Sequence, residues 1–218
     1  MAIPGILMRL SEPLDGHSDP AISPASPCPN VQAIHSFVEY DSQKPSRNTV
    51  YYLSDITPIL TSPSAYDEDA RTNGPALSSL SWIICSFTNS RDPSNPGLAS
   101  TANQLHDSPP VPGSVLVSNG YTPKPGTEEE YNAWYDTEHG EKLTHVPGWN
   151  SARRYKFEKR YGDTDTSVYY GFNFYDEENG LGGPAWQAGV TEWTMKIRSN
   201  AAKPNMRRVW KVVSTSTA

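Results

Sequence analysis

The C-terminal part of the chain contains four segments with the apolar pattern of β-strands. Residues 114–120 form a short apolar run, and residues 149–158 and 167–175 alternate apolar and polar side chains. Residues 206–214 make a last segment of this kind. A period of two places every second side chain on one face of a strand, so these segments are predicted strands.

Two segments between these strands carry apolar side chains at helical spacing. In the first, Thr127 and Glu130 are spaced as a capping box, and Val146-Pro147-Gly148 ends the helix. One stripe along this helix is predicted to face the sheet: Tyr131, Trp134, Tyr135, His139 and Leu143. A second helix is predicted to open at Gly182-Gly183-Pro184, with four apolar side chains on one side: Trp186, Val190, Trp193 and Ile197.

The N-terminal part repeats the strands but lacks the signal for the first helix. Its predicted strands are residues 5–11, 31–40, 48–54 and 80–87. Five prolines lie between positions 12 and 30, where the first helix should stand. Proline inside a helix removes a hydrogen bond and clashes with the preceding turn, so we expect no helix there.

A faint internal repeat relates the two parts. Val50-Tyr51-Tyr52 matches Val168-Tyr169-Tyr170, and Trp82-Ile83-Ile84-Cys85-Ser86 resembles Trp210-Lys211-Val212-Val213-Ser214. The order strand, helix, two strands, helix, strand defines a ferredoxin-like unit. We therefore predict an α+β protein of tandem ferredoxin-like (βαββαβ) repeats. Residues 1–111 form a degenerate half lacking its first helix, and residues 112–218 form a complete half carrying the site.

Charge and cysteine content limit the kinds of partner. A formal net charge of −6 at pH 7 argues against a nucleic-acid-binding protein, which carries a basic face. No apolar run reaches the about 18 residues of a membrane span, and no signal peptide is recognised. Cys28 and Cys85 make no disulfide framework. We expect a cytoplasmic protein with a small-molecule partner, without a membrane or nucleic-acid partner, and a homodimer that covers exposed sheet faces.

Several runs in the C-terminal part carry a family resemblance. They are Tyr131-Asn132-Ala133-Trp134-Tyr135-Asp136-Thr137-Glu138-His139, Val146-Pro147-Gly148-Trp149, Ala152-Arg153-Arg154-Tyr155-Lys156, Thr191-Glu192-Trp193-Thr194-Met195-Lys196-Ile197 and Val209-Trp210. These runs resemble EthD-like proteins of filamentous fungi, a family similar to the dimeric α+β barrel proteins. The resemblance implies a dimeric α+β barrel-type arrangement, closed within one chain or between two. Gly140 departs from the family's bulky apolar residue, which weakens the helix and widens the pocket.

His139 is the first candidate for catalysis. Its imidazole lies on the stripe that faces the sheet, where a group that gains or loses a proton near neutral pH suits a general base or acid. The alternative is a core histidine satisfied by one hydrogen bond, but a Glu-His pair recurs at this position in the family. Tyr135 and Tyr131 are candidate hydrogen-bond donors to a ligand, with packed aromatic rings as the alternative.

Six further side chains are candidates for binding a substrate. They come from the helices and the strands beneath them: Trp134, Glu138, Arg153, Tyr155, Phe172 and Trp193. An arginine such as Arg153 can hold a carboxylate or enolate oxygen, and the alternative is surface charge. No metal site is expected, because His139 and His145 stand six residues apart rather than the three or four that share a helix face.

The resemblance implies a cofactor-independent tailoring enzyme that works by acid/base catalysis. Cyclisation, decarboxylation, elimination or isomerisation of a small polyketide-like or aromatic oxygenated metabolite would suit it, in fungal secondary metabolism. The alternative is a non-catalytic small-ligand-binding or accessory protein of the same fold. A haem protein is a third possibility, because some barrel relatives bind haem.

Overall fold

Eight strands form one closed barrel in the computed structural model, which describes residues 2–16, 28–97, 99–103, 105 and 110–217. The order around the barrel is β1-β3-β2-β8-β5-β7-β6-β4, and all neighbours are antiparallel. The bounds are β1 Gly5–Pro13, β2 Val31–Glu39, β3 Arg47–Leu53, β4 Leu77–Arg91, β5 Val115–Tyr121, β6 Trp149–Tyr161, β7 Tyr169–Tyr175 and β8 Met206–Thr217. Each predicted strand is therefore confirmed in place.

The predicted fold class of tandem ferredoxin-like (βαββαβ) repeats is wrong. β4 pairs with β6, where Trp82 lies opposite Tyr161, and β2 pairs with β8, where Phe37 lies opposite Val212. Strands from both parts of the chain thus share one closed sheet, and the described helices are few, none longer than ten residues. Closure also removes every free sheet edge within a single chain.

Short helices cover the outside of the barrel. They are α1 Thr57–Thr61, α2 Ser64–Asn73, α3 Glu128–Trp134, α4 Gly140–Thr144, α5 Pro184–Ala188 and α6 Glu192–Ser199. A π-helical turn, Tyr135–His139, joins α3 to α4, and a 3₁₀ turn, Gly74–Ala76, follows α2. No described helix has both the length and the apolar character needed to cross a bilayer.

The helix starts are confirmed, although the chemistry of one differs from the prediction. α3 follows Thr127, but its hydroxyl donates to the Lys124 carbonyl at 2.8 Å and caps no helical N–H. Glu130 instead pairs with Lys196 of α6, so the predicted capping box is wrong. The second predicted helix opens at Pro184 as expected and then divides into α5 and α6. The expected loss of the first helix concerns residues 12–30, of which 17–27 lie outside the described residues.

Strands β1, β3, β5 and β7 are buried on both faces, which explains their largely apolar sequences. In β1, Ile6 and Met8 point into the barrel, whereas Leu7 packs outward beneath α1 and α2. In β7, Phe172 and Phe174 point inward. These strands thus separate an interior core from an outer layer that the helices cover.

A buried ion pair lies in the outer layer of the N-terminal part. Arg9 of β1 donates from Nε and Nη2 to the Asp69 carboxylate of α2 at 2.7 and 2.9 Å. Trp82 Nε1 and Asn73 Nδ2 each donate to the same carboxylate at 2.8 Å. The side chains of Arg9 and Asp69 are only 6% and 3% exposed, so the pair fixes α2 to the sheet inside a dry layer.

Candidate functional site

A cavity of about 160 Å³ lies between the four helices α3, α4, α5 and α6 on one side and the outer face of β5 and β7 on the other. We call it the helix-side cavity. Its helical wall holds an aromatic stripe, namely Tyr131, Trp134, Tyr135 and His139. Asn119 and Asn173 reach it from the sheet, and Trp186 from α5 closes one side. An apolar cavity of roughly 150 Å³ is known to hold one benzene ring, so this space fits one aromatic ring.

The π-helical turn places His139 against Trp134. In a π turn each backbone hydrogen bond spans five residues, so side chains five positions apart lie on the same face of the helix. The imidazole and indole rings are stacked, with centroids 4.2 Å apart and planes inclined by 17°. The Tyr135 ring meets the imidazole edge-on at 5.3 Å. π turns are frequent at functional sites, and here the turn aligns the imidazole with the aromatic wall.

His139 carries a neutral imidazole in this setting. Burial and the positive charges of Arg198 and Arg154 lower the pKa of His139 to about 3. Its Nδ1 is enclosed and makes no hydrogen bond with any described residue, while the half-buried ring lines the cavity. The imidazole is therefore unprotonated at neutral pH, and because Nδ1 is enclosed, Nε2 is the nitrogen that can meet a ligand.

Tyr135 presents a hydroxyl beside the same space. Its oxygen accepts a hydrogen bond from Asn173 Nδ2 at 3.2 Å, which leaves the hydroxyl proton without an acceptor among the described residues. Burial raises the pKa of Tyr135, so the hydroxyl stays a neutral donor. A Cβ on Gly171 would lie 2.7 Å from this oxygen, so glycine is needed beneath the tyrosine.

Arg154 of β6 supports the helical wall of the cavity from the side of the sheet. Its Nη1 donates to Asp136 Oδ1 and its Nη2 to Asn132 Oδ1, each at 2.7 Å. The guanidinium carbon lies 4.3 Å from the centre of the Tyr135 ring and 5.3 Å from that of Tyr131. The side chain is only 3% exposed. Arg154 thus combines hydrogen bonds and cation–π contacts to fix the rings that line the cavity.

The N-terminal part of the chain contributes to this wall through β4. Asn89 Nδ2 donates to Asp136 Oδ1 at 3.1 Å, and Arg91 donates from Nη2 to the Asp136 carbonyl inside the π turn. Gly140 allows this approach, because a Cβ there would lie 2.8 Å from Arg91 Nε and 2.7 Å from the Tyr135 carbonyl. Gly140 therefore makes room for Arg91 rather than for a ligand, and it is absent from the cavity lining.

We expect Gly140→Ala to destabilise the protein by about 1–3 kcal/mol, since the added methyl forces the π turn and Arg91 apart. An ordinary Gly→Ala change at a compatible site stabilises by about 0.4–1 kcal/mol. Gly97→Ala is the matched control, because a Cβ at Gly97 meets nothing within 4 Å. Urea unfolding monitored by circular dichroism measures both. Equal stability of the two variants would contradict the role assigned to Gly140.

Two arginines lie at the rim of the helix-side cavity. Arg198 of α6 and Arg207 of β8 are exposed, and both line the cavity. Neither forms an ion pair with a carboxylate among the described residues. The rim is thus positive in a chain of net charge −6, which favours a ligand that carries or develops negative charge.

Four of the nine side chains predicted for the site line this cavity, namely His139, Tyr135, Tyr131 and Trp134. Glu138 accepts a hydrogen bond from Thr191 Oγ1 at 2.5 Å and so fixes the start of α6. Trp193 is half-buried against the aromatic stripe, outside the cavity lining.

Arg153, Tyr155 and Phe172 lie on the other side of the sheet, inside the barrel. Arg153 Nε donates to the Tyr155 hydroxyl at 2.8 Å, and the Tyr155 and Phe172 rings meet at 5.3 Å. A strand turns alternate side chains to opposite faces, so Arg154 and Asn173 occupy the positions beneath the helices instead. The structure therefore does not bring these three residues to His139.

Sequence reasoning missed several residues of the cavity. Asn119 and Asn173 are polar residues in the largely apolar strands β5 and β7. This polar character is the sequence signal that could have identified them as cavity residues. Thr194 was also missed, although its hydroxyl accepts from Trp134 Nε1 at 3.3 Å. Arg198 and Arg207 carried no distinguishing pattern among the other charged residues, and only the fold places them at the rim.

The lowered pKa values of two histidines predict how stability varies with pH. The pKa of His139 is about 3 and that of His35, buried inside the barrel near Arg153, is about 4. An unfolded histidine titrates near pH 6.5, so below that pH the unfolded chain binds protons that the folded chain does not. We expect the free energy of unfolding to fall from pH 6.5 to pH 5, and more shallowly in His139→Gln/His35→Gln. Urea unfolding at each pH tests this, and an unchanged slope in the double variant would contradict it.

The described residues contain no group of three or more His, Cys, Asp or Glu side chains arranged to hold a metal ion. A haem also fits poorly, because its macrocycle holds four pyrrole rings and the helix-side cavity has room for about one ring. The cavity therefore favours a smaller organic molecule.

Comparisons with known proteins support the fold. Neither a protein-family model nor a curated protein matches the sequence. The crystal structure of an anthrone oxidase-like protein superposes with a TM-score of 0.68 at 13% identity, over 100% of this chain and 94% of that one. A monooxygenase-like protein from Lactobacillus acidophilus superposes with a TM-score of 0.57 at 10% identity, over 99% of this chain and 96% of that one. A second monooxygenase-like protein, from Fusobacterium nucleatum, superposes with a TM-score of 0.54 at 10% identity, over 99% of this chain and 95% of that one.

The chain thus shares its overall fold with these proteins, and its eight-stranded barrel closes within one chain. Likeness at 10–13% identity shows the fold alone. The side chains of the helix-side cavity must therefore carry any conclusion about function.

Proposed function

We propose that this protein is an enzyme that moves a proton on a small oxygenated aromatic molecule held in the helix-side cavity. The observation that carries the proposal is the neutral imidazole of His139, which lines an aromatic cavity. One ring of the substrate lies against Trp134 and Tyr131, and the remainder extends towards the rim.

His139 accepts the proton from an acidic C–H or O–H group next to that ring. The negative charge that develops on the substrate oxygen is stabilised by the Tyr135 hydroxyl and by the positive rim at Arg198. The proton then stays beside the anion it left. The anion stabilises the protonated imidazole. It thereby offsets part of the desolvation that lowers the pKa of the free imidazole to about 3.

This step is common to isomerisation, elimination, cyclisation and decarboxylation, and it also precedes attack of oxygen on an aromatic carbanion. The likeness of the fold to an anthrone oxidase-like protein and to monooxygenase-like proteins is consistent with the last possibility. The EthD-like resemblance of the stripe around His139 supports a tailoring reaction of fungal secondary metabolism. We also propose that two copies of this chain associate as a homodimer.

Deuterium exchange tests the proton transfer without knowledge of the later steps. 2-Tetralone carries one aromatic ring and an acidic methylene, and its exchange with D₂O under anaerobic conditions is followed by proton NMR. We expect exchange well above the spontaneous rate, and oxygen uptake in air identifies any oxygenation. Exchange at the spontaneous rate for 2-tetralone, and for the larger anthrone, would overturn the proposal.

A non-catalytic ligand-binding protein is the second candidate, and one observation favours it. A base whose pKa is about 3 holds a proton weakly, and catalysis is most efficient when that pKa lies near the working pH. In a binding protein the imidazole acts only as a hydrogen-bond partner for the ligand. Saturable binding of 2-tetralone without catalysed exchange identifies this case.

A further inference from the structure

A second cavity of about 440 Å³ opens at one end of the barrel. It lies where the β2–β3 turn and the β6–β7 loop meet the first residues of β8, and we call it the barrel-mouth cavity. Its floor consists of apolar side chains that point into the barrel: Met8, Leu10, Ile83, Tyr170 and Trp210. This volume falls within the roughly 300–1,000 Å³ of small-molecule sites.

Asn48, at the start of β3, lines this cavity and is only 2% exposed. Its Oδ1 makes no hydrogen bond with any described residue. A buried amide without partners is unfavourable, and most buried polar groups in proteins are paired. The apolar floor around Asn48 thus contains one polar group whose hydrogen-bonding capacity is not used by the barrel.

Three charged groups at the rim are paired within the protein, whereas Arg207, which also lines the cavity, forms no ion pair among the described residues. Lys44 Nζ lies 3.1 Å from Glu12, Arg208 Nε lies 3.1 Å from Asp41, and Lys203 Nζ lies 2.6 Å from Asp165. The Arg208 guanidinium also lies 4.2 Å above the Trp210 ring, which holds this indole as one wall. Because the apolar floor holds no charged group and Arg207 is the one rim charge without an ion pair among the described residues, the floor favours a neutral ligand body over an ion.

We propose that the barrel-mouth cavity is a second binding site, which takes a neutral aromatic molecule with an amide-like head. A carboxamide places a donor and an acceptor side by side, so an amide head pairs with the Asn48 side chain along either edge. The aromatic body packs on Trp210, Met8 and Ile83. Its floor lies inside the barrel and the helix-side cavity lies outside it, and the two linings share only Asn205 and Arg207, so its occupancy does not depend on the function proposed for His139.

Methyl NMR with 2-naphthamide as the probe tests the site directly. The probe is expected to shift the methyl signals of Met8 and Ile83 saturably, while the signals of Leu143 in the helix-side cavity stay unchanged. 2-Ethylnaphthalene, which lacks the amide, is the control probe and is expected to bind at least tenfold more weakly.

Asn48→Leu is the decisive variant, because it keeps the approximate volume and removes the carboxamide. We expect it to weaken 2-naphthamide binding about tenfold. If this variant does not fold, Leu10→Trp at the half-buried edge of the floor narrows the cavity and is expected to abolish the shifts. Unshifted Met8 and Ile83 signals at the solubility limit would show that the cavity takes water only and overturn the proposal. Unchanged affinity in the folded variant, or shifts at Leu143 alone, would also overturn it.

Discussion

Replacing His139 with glutamine is expected to slow the exchange of 2-tetralone protons at least about a hundredfold. Glutamine retains hydrogen-bonding groups at a similar reach but cannot accept a proton from the substrate. The aromatic wall and the rim arginines remain in place, so the affinity for 2-tetralone should stay within about threefold of the original value. Exchange rates measured over a range of probe concentrations separate turnover from binding.

His145→Gln is the matched control for this experiment. His145 follows α4, its side chain is 66% exposed, and its Nε2 lies 3.2 Å from the Glu141 carboxylate. The change removes an imidazole from the same helical segment without touching the cavity, so exchange should continue at the original rate. If both variants exchange at the original rate, His139 does not transfer the proton and the catalytic proposal fails.

The second large effect concerns the buried ion pair of the N-terminal part. Asp69→Asn is expected to lower the free energy of unfolding by about 3–5 kcal/mol, because it removes the buried negative charge that the Arg9 guanidinium contacts. Burial by itself raises the pKa of Asp69, but the hydrogen bonds and charge of Arg9 outweigh it and hold the pKa below its ordinary value. The ionised carboxylate is therefore the form that this layer requires.

Glu68→Gln is the control for Asp69→Asn, since Glu68 precedes Asp69 on α2 and pairs with Arg71 at the surface. The Arg71 and Glu68 side chains are 71% and 60% exposed, and exposed pairs contribute about 0–1 kcal/mol. Urea unfolding measures both variants. The double change Arg9→Met/Asp69→Leu should recover only part of the lost stability, because it removes both charges together but takes the acceptor away from Trp82 Nε1. A loss below about 1 kcal/mol in Asp69→Asn would contradict the account of this pair.

The two outer layers of the barrel differ in how they are filled. In the N-terminal part, Asp69 and Trp82 meet beneath α2 in a packed layer. In the C-terminal part, the corresponding space between helix and sheet is the helix-side cavity, with His139 at its wall. The prediction that the C-terminal half carries the site stays a prediction, and the geometry of this cavity supports it.

Local patterns predicted much of the site's helical wall. The spacing of Tyr131, Trp134, Tyr135 and His139 indicated one buried stripe, and all four side chains line the cavity. The same spacing did not reveal the π turn, whose Asp136 carbonyl accepts a hydrogen bond from Arg91 of β4. That contact joins residues 45 positions apart, and no local pattern records it.

The strand side of the site was harder to predict. In β7 both faces are buried, so Phe172 and Asn173 are equally enclosed at 0% and 2% exposure. Hydrophobicity therefore does not distinguish the face inside the barrel from the face beneath the helices. The prediction chose Phe172 and Arg153, whereas the neighbouring Asn173 and Arg154 lie beneath the helices.

The sequence by itself determined the positions of the eight strands, the helix starts and the aromatic stripe, because these depend on side-chain periodicity and on local turn residues. Only the tertiary structure decided that the strands close into one barrel, through the pairing of β2 with β8 and of β4 with β6. It also decided which face of each strand meets a cavity. Pairing between distant strands depends on the packing of the whole chain, which neighbouring residues do not encode.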